Sequence, residues 1–202
     1  MTGIIEYGAG NIRSVVNACR AIGFDVTLVD TADGLMQASR IILPGVGSFR
    51  VGMENLQARG LVPALHDAVT QQHKPLLGIC LGMQLLADCG TEGGDTEGLG
   101  FVPGDVVRMD DSEVRIPHVG WNSIHLVNSS PLLDTDDGTD FYFVHGYSFR
   151  AEHDADVLAT CDYGATFPCA VGRDNVLGVQ FHPEKSHQFG LRLLRRFLES
   201  AC

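Results

Sequence analysis

The first half of the chain alternates short apolar runs with stretches whose apolar residues recur at helical spacing. The apolar runs that predict β-strands span 3–7, 26–29, 40–43 and 74–79. The stretches that predict helices are 11–22, 61–72 and the start of one at 82–87. Strands that alternate with helices in this way form a mostly parallel sheet covered on both faces. The pattern therefore predicts a doubly wound α/β fold.

The second half of the chain is dominated by β-type runs. These runs lie near 101–108, 141–145, 157–161, 169–172 and 176–181, and a closing helix is predicted over 189–198. Two acidic, glycine-rich stretches, at 90–100 and 128–140, predict surface loops. There is no internal repeat and no linker long enough to divide the chain. We therefore expect one domain over 1–202, with an additional antiparallel β portion in its second half.

The charge balance and the apolar runs exclude several classes of partner. The chain has 14 Lys and Arg residues against 25 Asp and Glu residues, a formal net charge of −11, which would repel a phosphate backbone. We expect no nucleic-acid partner. No apolar run approaches the ~18–20 residues needed to span a bilayer, and no secretory signal is visible. The six cysteines form no CxxC pair, so we expect reduced, mostly buried thiols in a cytoplasmic protein.

The common cofactor motifs are incomplete or missing. Gly8-Ala9-Gly10 follows a strand, as a dinucleotide fingerprint would, but Arg13 stands where the third glycine belongs. No glycine is followed by lysine, which excludes a P-loop, and no HExxH motif occurs. A proline-broken stretch separates His182 from His187, which argues against a shared metal ion. We expect neither a cofactor nor a metal.

One motif points to nucleophilic chemistry. Gly78-Ile79-Cys80-Leu81-Gly82 lies where an apolar strand gives way to a helix. A sharp strand-to-helix turn needs small residues two positions before and two after the exposed side chain, so GxCxG is typical of a nucleophile elbow with cysteine as nucleophile. The helix N-terminus favours the thiolate, and the N–H of Leu81 could hold an oxyanion.

A base for this nucleophile is available in Val179-Gln180-Phe181-His182-Pro183-Glu184. We expect a strand to end at His182 and Pro183 to turn the chain, so that Glu184 reaches back to the imidazole. His182 would take the thiol proton and return it to the leaving group, and Glu184 would orient the imidazolium. A third segment, Pro44-Gly45-Val46-Gly47, ends another strand at the same sheet edge. Its glycines allow a peptide flip that aims an N–H at the site.

Taken together, these motifs resemble the class I, triad-type glutamine amidotransferases. The resemblance rests on GICLGMQLL (78–86), VQFHPEKS (179–186), LPGVGSF (43–49), VGWN (119–122) and FYFVHGYSF (141–149), and it covers essentially the whole chain. Within that superfamily, the PGVG, IPHVGWN and FYFVHxY patterns are similar to those of glutaminase subunits of imidazole glycerol phosphate synthases.

The resemblance implies hydrolysis of glutamine to glutamate and ammonia through a γ-glutamyl thioester. It makes Cys80 the nucleophile, His182 the acid and base, and Glu184 its orienting partner. The implied oxyanion hole comprises Gly45, Val46, Gly47 and Leu81, and the implied glutamine-binding residues are Gln84, His145, Gly146, Tyr147 and Ser148. The family usually has serine or threonine where this chain has Gly146, so backbone groups would have to replace a hydroxyl there.

The resemblance also implies a partner, a cyclase subunit of (β/α)8-barrel type that forms a heterodimer with this chain. Ammonia would pass to the cyclase through an internal channel for histidine biosynthesis, and the oxyanion strand would be poorly arranged until the partner binds. Asn11, Trp121 and Tyr142 match family positions near that interface. Trp121 is the only tryptophan and lies in a Gly-Trp-Asn segment expected to form a polar turn.

Three other functions compete with this one. A paralogous amidotransferase could serve another barrel-type synthase, and only the partner distinguishes the two. A γ-glutamyl peptidase on the same fold is disfavoured by PGVG and IPHVGWN. A catalytically silent binding subunit is disfavoured because packing alone does not require Cys80, His182 and Glu184 together.

Overall fold

A computed structural model describes residues 1–110, 112–130, 132–133 and 136–200. Its first half contains β1 (Thr2–Ile5), α1 (Ile12–Ala21), β2 (Val26–Val29), α2 (Ala32–Gln37), β3 (Arg40–Gly45), α3 (Phe49–Ala58), α4 (Leu61–His66), β4 (Leu76–Cys80) and α5 (Leu81–Gln84). Its second half contains β5 (Cys89–Gly90), β6 (Thr96–Glu97), β7 (Gly104–Arg108), β8 (His118–Leu126), β9 (Asp140–His145), β10 (Tyr147–Ala151), β11 (Val157–Tyr163), β12 (Ala165–Arg173), β13 (Val176–Val179) and α6 (His187–Glu199).

The larger of two sheets has nine strands in the order β2-β1-β3-β4-β13-β12-β11-β8-β9. The strands from β2 to β13 run parallel, and those from β12 to β9 continue the sheet in antiparallel fashion. A smaller sheet has the order β10-β7-β5-β6. This arrangement confirms the predicted α/β fold with an added antiparallel portion. It also brings the carboxyl ends of β3, β4 and β13 to one edge, where ligands of such sheets bind.

Two apolar clusters pack against the two faces of the larger sheet. The cluster that includes α1 and α6 buries Val15, Cys19, Leu194 and Phe197, while the other includes residues of α3, α4 and α5. Cys19, Cys80, Cys161 and Cys169 are buried free thiols and Cys89 is half-buried, whereas Cys202 lies outside the described residues. None of the described helices is long and apolar enough to cross a membrane.

Several elements differ from the sequence predictions. Helices α2 and α3 were not predicted, because Gly34 and Gly52 lie inside them and weaken the helical pattern. Strands β8 and β10 were not predicted either, and the expected polar turn at Trp121 is wrong, because that residue lies within β8 opposite Tyr142 of β9. The predicted helix over 61–72 continues beyond α4 as a π-helical turn. The predicted loop at 128–140 lies partly outside the described residues.

Candidate active site

Cys80 sits in a strained backbone conformation between β4 and α5. Its φ of 54° and ψ of −108° lie in a region that side-chain-bearing residues rarely adopt. The flanking glycines make this turn possible. A Cβ on Gly78 would lie 2.6 Å from the carbonyl oxygen of Gly82, and a Cβ on Gly82 would collide with the Leu43 carbonyl. Because both obstacles are backbone atoms, only glycine fits at either position, as the elbow motif predicts.

The Pro44–Gly47 segment reaches the same edge. Gly45 ends β3 and is paired in register with Cys80 at the end of β4. Beyond the strand, Val46 and Gly47 are exposed, and Gly47 has a φ of 133°. Leu81, the first residue of α5, is buried against this segment, since a Cβ on Gly45 would lie 3.3 Å from its side chain.

His182 and Glu184 form a buried pair behind Cys80. His182 Nδ1 lies 2.7 Å from Glu184 Oε1, and both side chains are almost completely inaccessible to solvent. The expectation that a strand ends at His182 is wrong by three residues, because β13 ends at Val179. A 3-10 turn over Pro183–Lys185 nevertheless returns the carboxylate to the imidazole, as predicted.

Asn11 contributes to this pair rather than standing apart from it. Its side-chain amide donates to Glu184 Oε1 at 2.5 Å and lies 3.4 Å from His182 Nδ1. The residue has a φ of 72° at the start of α1, which turns the half-buried side chain towards the pair. No sequence pattern indicates this contact, because the residues are more than 170 positions apart.

The electrostatic surroundings favour a protonated His182. Burial lowers the pKa of His182, but the interactions with Cys80 and Glu184 outweigh it and raise this pKa to about 9. His182 Nε2, the nitrogen on the side opposite Glu184, makes no hydrogen bond with any described residue. The imidazole therefore has a buried nitrogen whose hydrogen-bonding capacity no described residue uses.

Two glutamines connect Cys80 to the chain after β9. Gln180 donates to Cys80 Sγ at 3.7 Å, and its carbonyl accepts from Gln84 at 3.0 Å. The Gln84 amide also donates to the Tyr147 carbonyl oxygen at 3.1 Å. Gln84 was predicted to contact substrate, whereas Gln180 was not singled out. The only sequence signal for Gln180 is its place two residues before the histidine.

A second network holds the 145–148 segment from its other side. His145 Nδ1 donates to the Tyr147 carbonyl oxygen at 2.9 Å, so its Nε2 accepts from His118 Nδ1 at 3.1 Å. His118 Nε2 lies 3.4 Å from the Asn122 amide. Burial lowers the pKa of His118 to about 4 and that of His145 to about 3, so both rings are neutral.

A cavity of about 440 Å³ opens in front of Cys80. Of the residues predicted from sequence, Val46, Gly47, Cys80, Leu81, Gln84, His145, Gly146 and Tyr147 line it. Gly45 and Ser148 are not among the lining residues, and Ser148 lies in β10, paired with Val107 of β7. Sequence reasoning missed Glu92, Arg108, Ile116, Pro117 and Val144, which also line the cavity. Glu92 and Arg108 belong to none of the sequence motifs, and they reach the cavity only through the folding of the chain.

The other predicted positions lie on an outer face beside the triad. Trp121 is 47% exposed and stacks on His187, with ring centroids 4.8 Å apart. Its ring also meets Tyr142 edge-on at 5.8 Å, and Lys185 lies over the Tyr142 ring. Trp121 and His187 line a second, open cavity of about 570 Å³. Trp121, Tyr142 and His187 form a partly exposed surface of contacting rings, which we call the aromatic face.

Comparison with known proteins identifies the family. The family model described as glutamine amidotransferase class-I matches residues 3–201. Imidazole glycerol phosphate synthase subunit HisH of Zymomonas mobilis is 47% identical, over 97% of this chain and 94% of that protein. The subunit HisH of Salinibacter ruber is 46% identical over 98% and 93%, and HisH 2 of Methanococcus maripaludis is 43% identical over the full length of both.

Solved structures agree on the fold. One described as a glutamine amidotransferase superposes with a TM-score of 0.77 at 23% identity, covering 98% of this chain and 97% of that one. The structure of PurLQS from Thermotoga maritima gives 0.73 at 20% identity, covering 98% and 96%. The chain therefore belongs to the class-I glutamine amidotransferases and, within them, to the imidazole glycerol phosphate synthase subunit HisH family.

Proposed function

We propose that this chain hydrolyses glutamine with Cys80 as nucleophile, His182 as acid and base, and Glu184 as the group that orients the imidazole. The observation that carries the proposal is the strained elbow, which presents Cys80 to the cavity beside a buried imidazole–carboxylate pair. Backbone strain of this kind is typical of residues in active sites.

The reaction follows from the protonation of this pair. The Cys80 thiolate attacks the side-chain carbonyl carbon of glutamine, and the electron pair of the C=O bond moves to oxygen. His182 gives its proton to the amide nitrogen, and the C–N bond breaks. Ammonia departs, and a γ-glutamyl thioester remains on Cys80. Neutral His182 then takes a proton from water, the hydroxide displaces sulfur, and glutamate leaves with the thiolate and the imidazolium restored.

The oxyanion formed in each half-reaction would be held by backbone N–H groups. We assign this role to Leu81, which follows the nucleophile, and to the Gly45–Gly47 segment, which ends beside it. The exposure of Val46 and Gly47 supports the expectation that this segment depends on a partner for its final arrangement.

The cavity suits glutamine in size and charge. Gln84 and the backbone of 145–147 line the part next to Cys80, where we expect the side-chain amide to bind. Glu92 and Arg108 add one acidic and one basic side chain to the lining, a combination that matches an α-ammonium and an α-carboxylate group. Ser148 does not line the cavity, so we expect the backbone of residues 145–147, rather than Ser148 itself, to contact glutamine.

For the partner we propose the cyclase subunit of imidazole glycerol phosphate synthase, with a (β/α)8 barrel, in a heterodimer that passes ammonia on for histidine biosynthesis. The proposal is supported by the relatives named as subunits of that synthase. The aromatic face, with the exposed Trp121 and the half-buried Tyr142, provides aromatic groups of the kind that dominate binding energy at interfaces. Asn11 begins the adjacent α1 and would relay contact with the partner to Glu184.

The test is glutamate release from glutamine by the chain alone and by the chain mixed with the barrel cyclase and its nucleotide ligand. We expect slow release alone, strong stimulation by the cyclase, and complete loss in Cys80→Ala. Cys89→Ala is the matched control, because its thiol is half-buried and does not line the cavity. Full activity in Cys80→Ala would overturn the chemistry. No stimulation, with Cys80 still labelled by a glutamine-like electrophile, would assign the chain to another synthase.

A further inference from the structure

The hydroxyl of Tyr7 is buried without a partner. Tyr7 has no exposed surface, and its Oη makes no hydrogen bond with any described residue. Burial, reinforced by the nearby Cys80, raises the pKa of Tyr7, so the phenol keeps its proton. A buried donor without an acceptor destabilises a protein, and phenylalanine would fill the same space without that cost. The hydroxyl is therefore a candidate for a hydrogen bond made only in a working state.

Tyr7 lies next to the Gly45–Gly47 segment, to which we assign part of the oxyanion hole. Strands β1 and β3 pair in parallel from Thr2 with Arg40 to Ile4 with Ile42, and Tyr7 follows the end of β1 by two residues, on the same side of the sheet edge as the end of β3. A Cβ on Gly45 would collide with the Tyr7 hydroxyl, so the oxygen lies directly against that residue. Gly45 is itself paired with Cys80 on its other side. Tyr7, which follows the end of β1, thus forms a row with Gly45 at the end of β3 and Cys80 at the end of β4.

The orientation of the Gly45–Val46 peptide determines which of its groups faces Cys80 and which faces Tyr7. The N–H and C=O of a trans peptide point in opposite directions. For the Val46 N–H to reach an oxyanion at Cys80, it must point to the β4 side of β3. The carbonyl oxygen of Gly45, which belongs to the same peptide, then points to the β1 side, where Tyr7 lies.

We propose that Tyr7 is a positioning residue whose hydroxyl donates a hydrogen bond to the Gly45 carbonyl oxygen when the Val46 N–H is turned towards Cys80. This hydrogen bond stabilises the peptide orientation in which the Val46 N–H holds the oxyanion. In the opposite orientation the Gly45 carbonyl oxygen points away from Tyr7, and the bond cannot form. The inference rests on the proposed function, because it assumes that an oxyanion forms at Cys80. The exposed position of Val46 leaves the peptide free to respond to one hydrogen bond.

The first test is Tyr7→Phe in the complex with the cyclase. We expect kcat for glutamate release to fall about tenfold with KM within about twofold, because the lost bond acts on the transition state. The melting temperature of the isolated chain should stay the same or rise, because the variant removes an unpaired hydroxyl. Tyr163→Phe is the matched control: its hydroxyl donates to the Arg115 carbonyl at 2.7 Å, outside the cavity, so its loss should lower the melting temperature and leave kcat unchanged.

The second test measures the oxyanion directly. The Cys80 thiolate adds to the aldehyde carbon of glutamate γ-semialdehyde: a C–S bond forms, the C=O π bond breaks, and its electron pair moves to the oxygen, which takes the place of the oxyanion. We expect Tyr7→Phe to weaken this inhibitor about tenfold in the complex, in step with kcat. Unchanged kcat and inhibitor affinity in Tyr7→Phe would overturn the inference. A fall in kcat would also overturn it if the melting temperature fell as much as in Tyr163→Phe. A wild-type complex that releases no glutamate would overturn the proposed function instead.

Discussion

The two halves of the larger sheet hold their parts of the cavity by different means. In the parallel half, the Cys80 turn is enforced by backbone contacts, since Gly78 and Gly82 each face main-chain atoms at distances that no side chain tolerates. In the antiparallel half, the segment after β9 is held by hydrogen bonds through His118, His145 and Gln84. A substitution that clashes with backbone disrupts the whole turn, whereas the loss of one hydrogen bond weakens a network only in part.

The largest combined loss of activity and stability is expected at Gly82, where an added methyl group would meet backbone atoms. Gly82→Ala places a Cβ against the Leu43 carbonyl, and neither atom can move without displacing β3 or the elbow. We expect glutamate release to fall by roughly 10²-fold or more and the free energy of unfolding by about 1–3 kcal/mol. Enzyme assays and urea titration would measure both. Wild-type activity in this variant would show that the elbow is not sterically fixed.

The second effect concerns the charge pair behind the nucleophile. Because the pKa of His182 is raised to about 9, the imidazolium persists through neutral pH and is lost as the pH rises through that value. Glutamate release by the complex should therefore decline on an alkaline limb near pH 9. Glu184→Gln keeps the shape but removes the carboxylate, so we expect the limb to move to lower pH and kcat to fall roughly 10²–10⁴-fold.

A pH profile over 6 to 10 for both proteins checks this prediction, with kcat and KM separated at each pH. An alkaline limb at the same pH in Glu184→Gln would mean that the carboxylate does not set the protonation of His182. The difference in the position of the limb between the two proteins is the informative quantity, because it isolates the contribution of the Glu184 carboxylate to the pKa of His182.

The two halves also differ in how far the sequence predicts them. The elbow was predictable because its steric rule is local: two glycines and a cysteine within five residues. Strand β8 was not, because Gly120-Trp121-Asn122 has the composition of a turn, and only pairing with β9 makes it a strand. The contacts of Asn11 and Gln180 join residues 96 or more positions apart, so no local pattern could indicate them.

A graded effect is expected from His118, the middle of the polar network. His118→Phe preserves a ring between Phe143 and Tyr163 but leaves His145 Nε2 without its donor. We expect the free energy of unfolding to fall by about 1–3 kcal/mol. The KM for glutamine should rise a few-fold, since the Tyr147 carbonyl is less well fixed, while kcat changes little.

His118→Asn is the conservative partner, because its amide can donate from near the position of the imidazole Nδ1. Partial recovery of KM in this variant, measured in the same steady-state assay, would support a role for the hydrogen bond. Equal KM values in the wild type and in both variants would mean that the network stabilises the sheet without positioning the segment.

The smallest effect is expected at Gly146, which is the counterpart of Gly82 in the antiparallel half. A Cβ on Gly146 would lie 3.2 Å from the Ile116 Cγ2, the end of a side chain that can shift, and 3.9 Å from the Pro117 Cβ. Gly146→Ser should therefore change the free energy of unfolding by less than about 1 kcal/mol. Its hydroxyl would face a segment that lines the cavity, so we expect a KM for glutamine equal to or up to a few-fold below that of the wild type. Urea titration and steady-state kinetics, run beside Gly82→Ala, give the comparison directly. If serine here were as damaging as alanine at position 82, the antiparallel half would also be held by close packing, and its hydrogen bonds would be secondary.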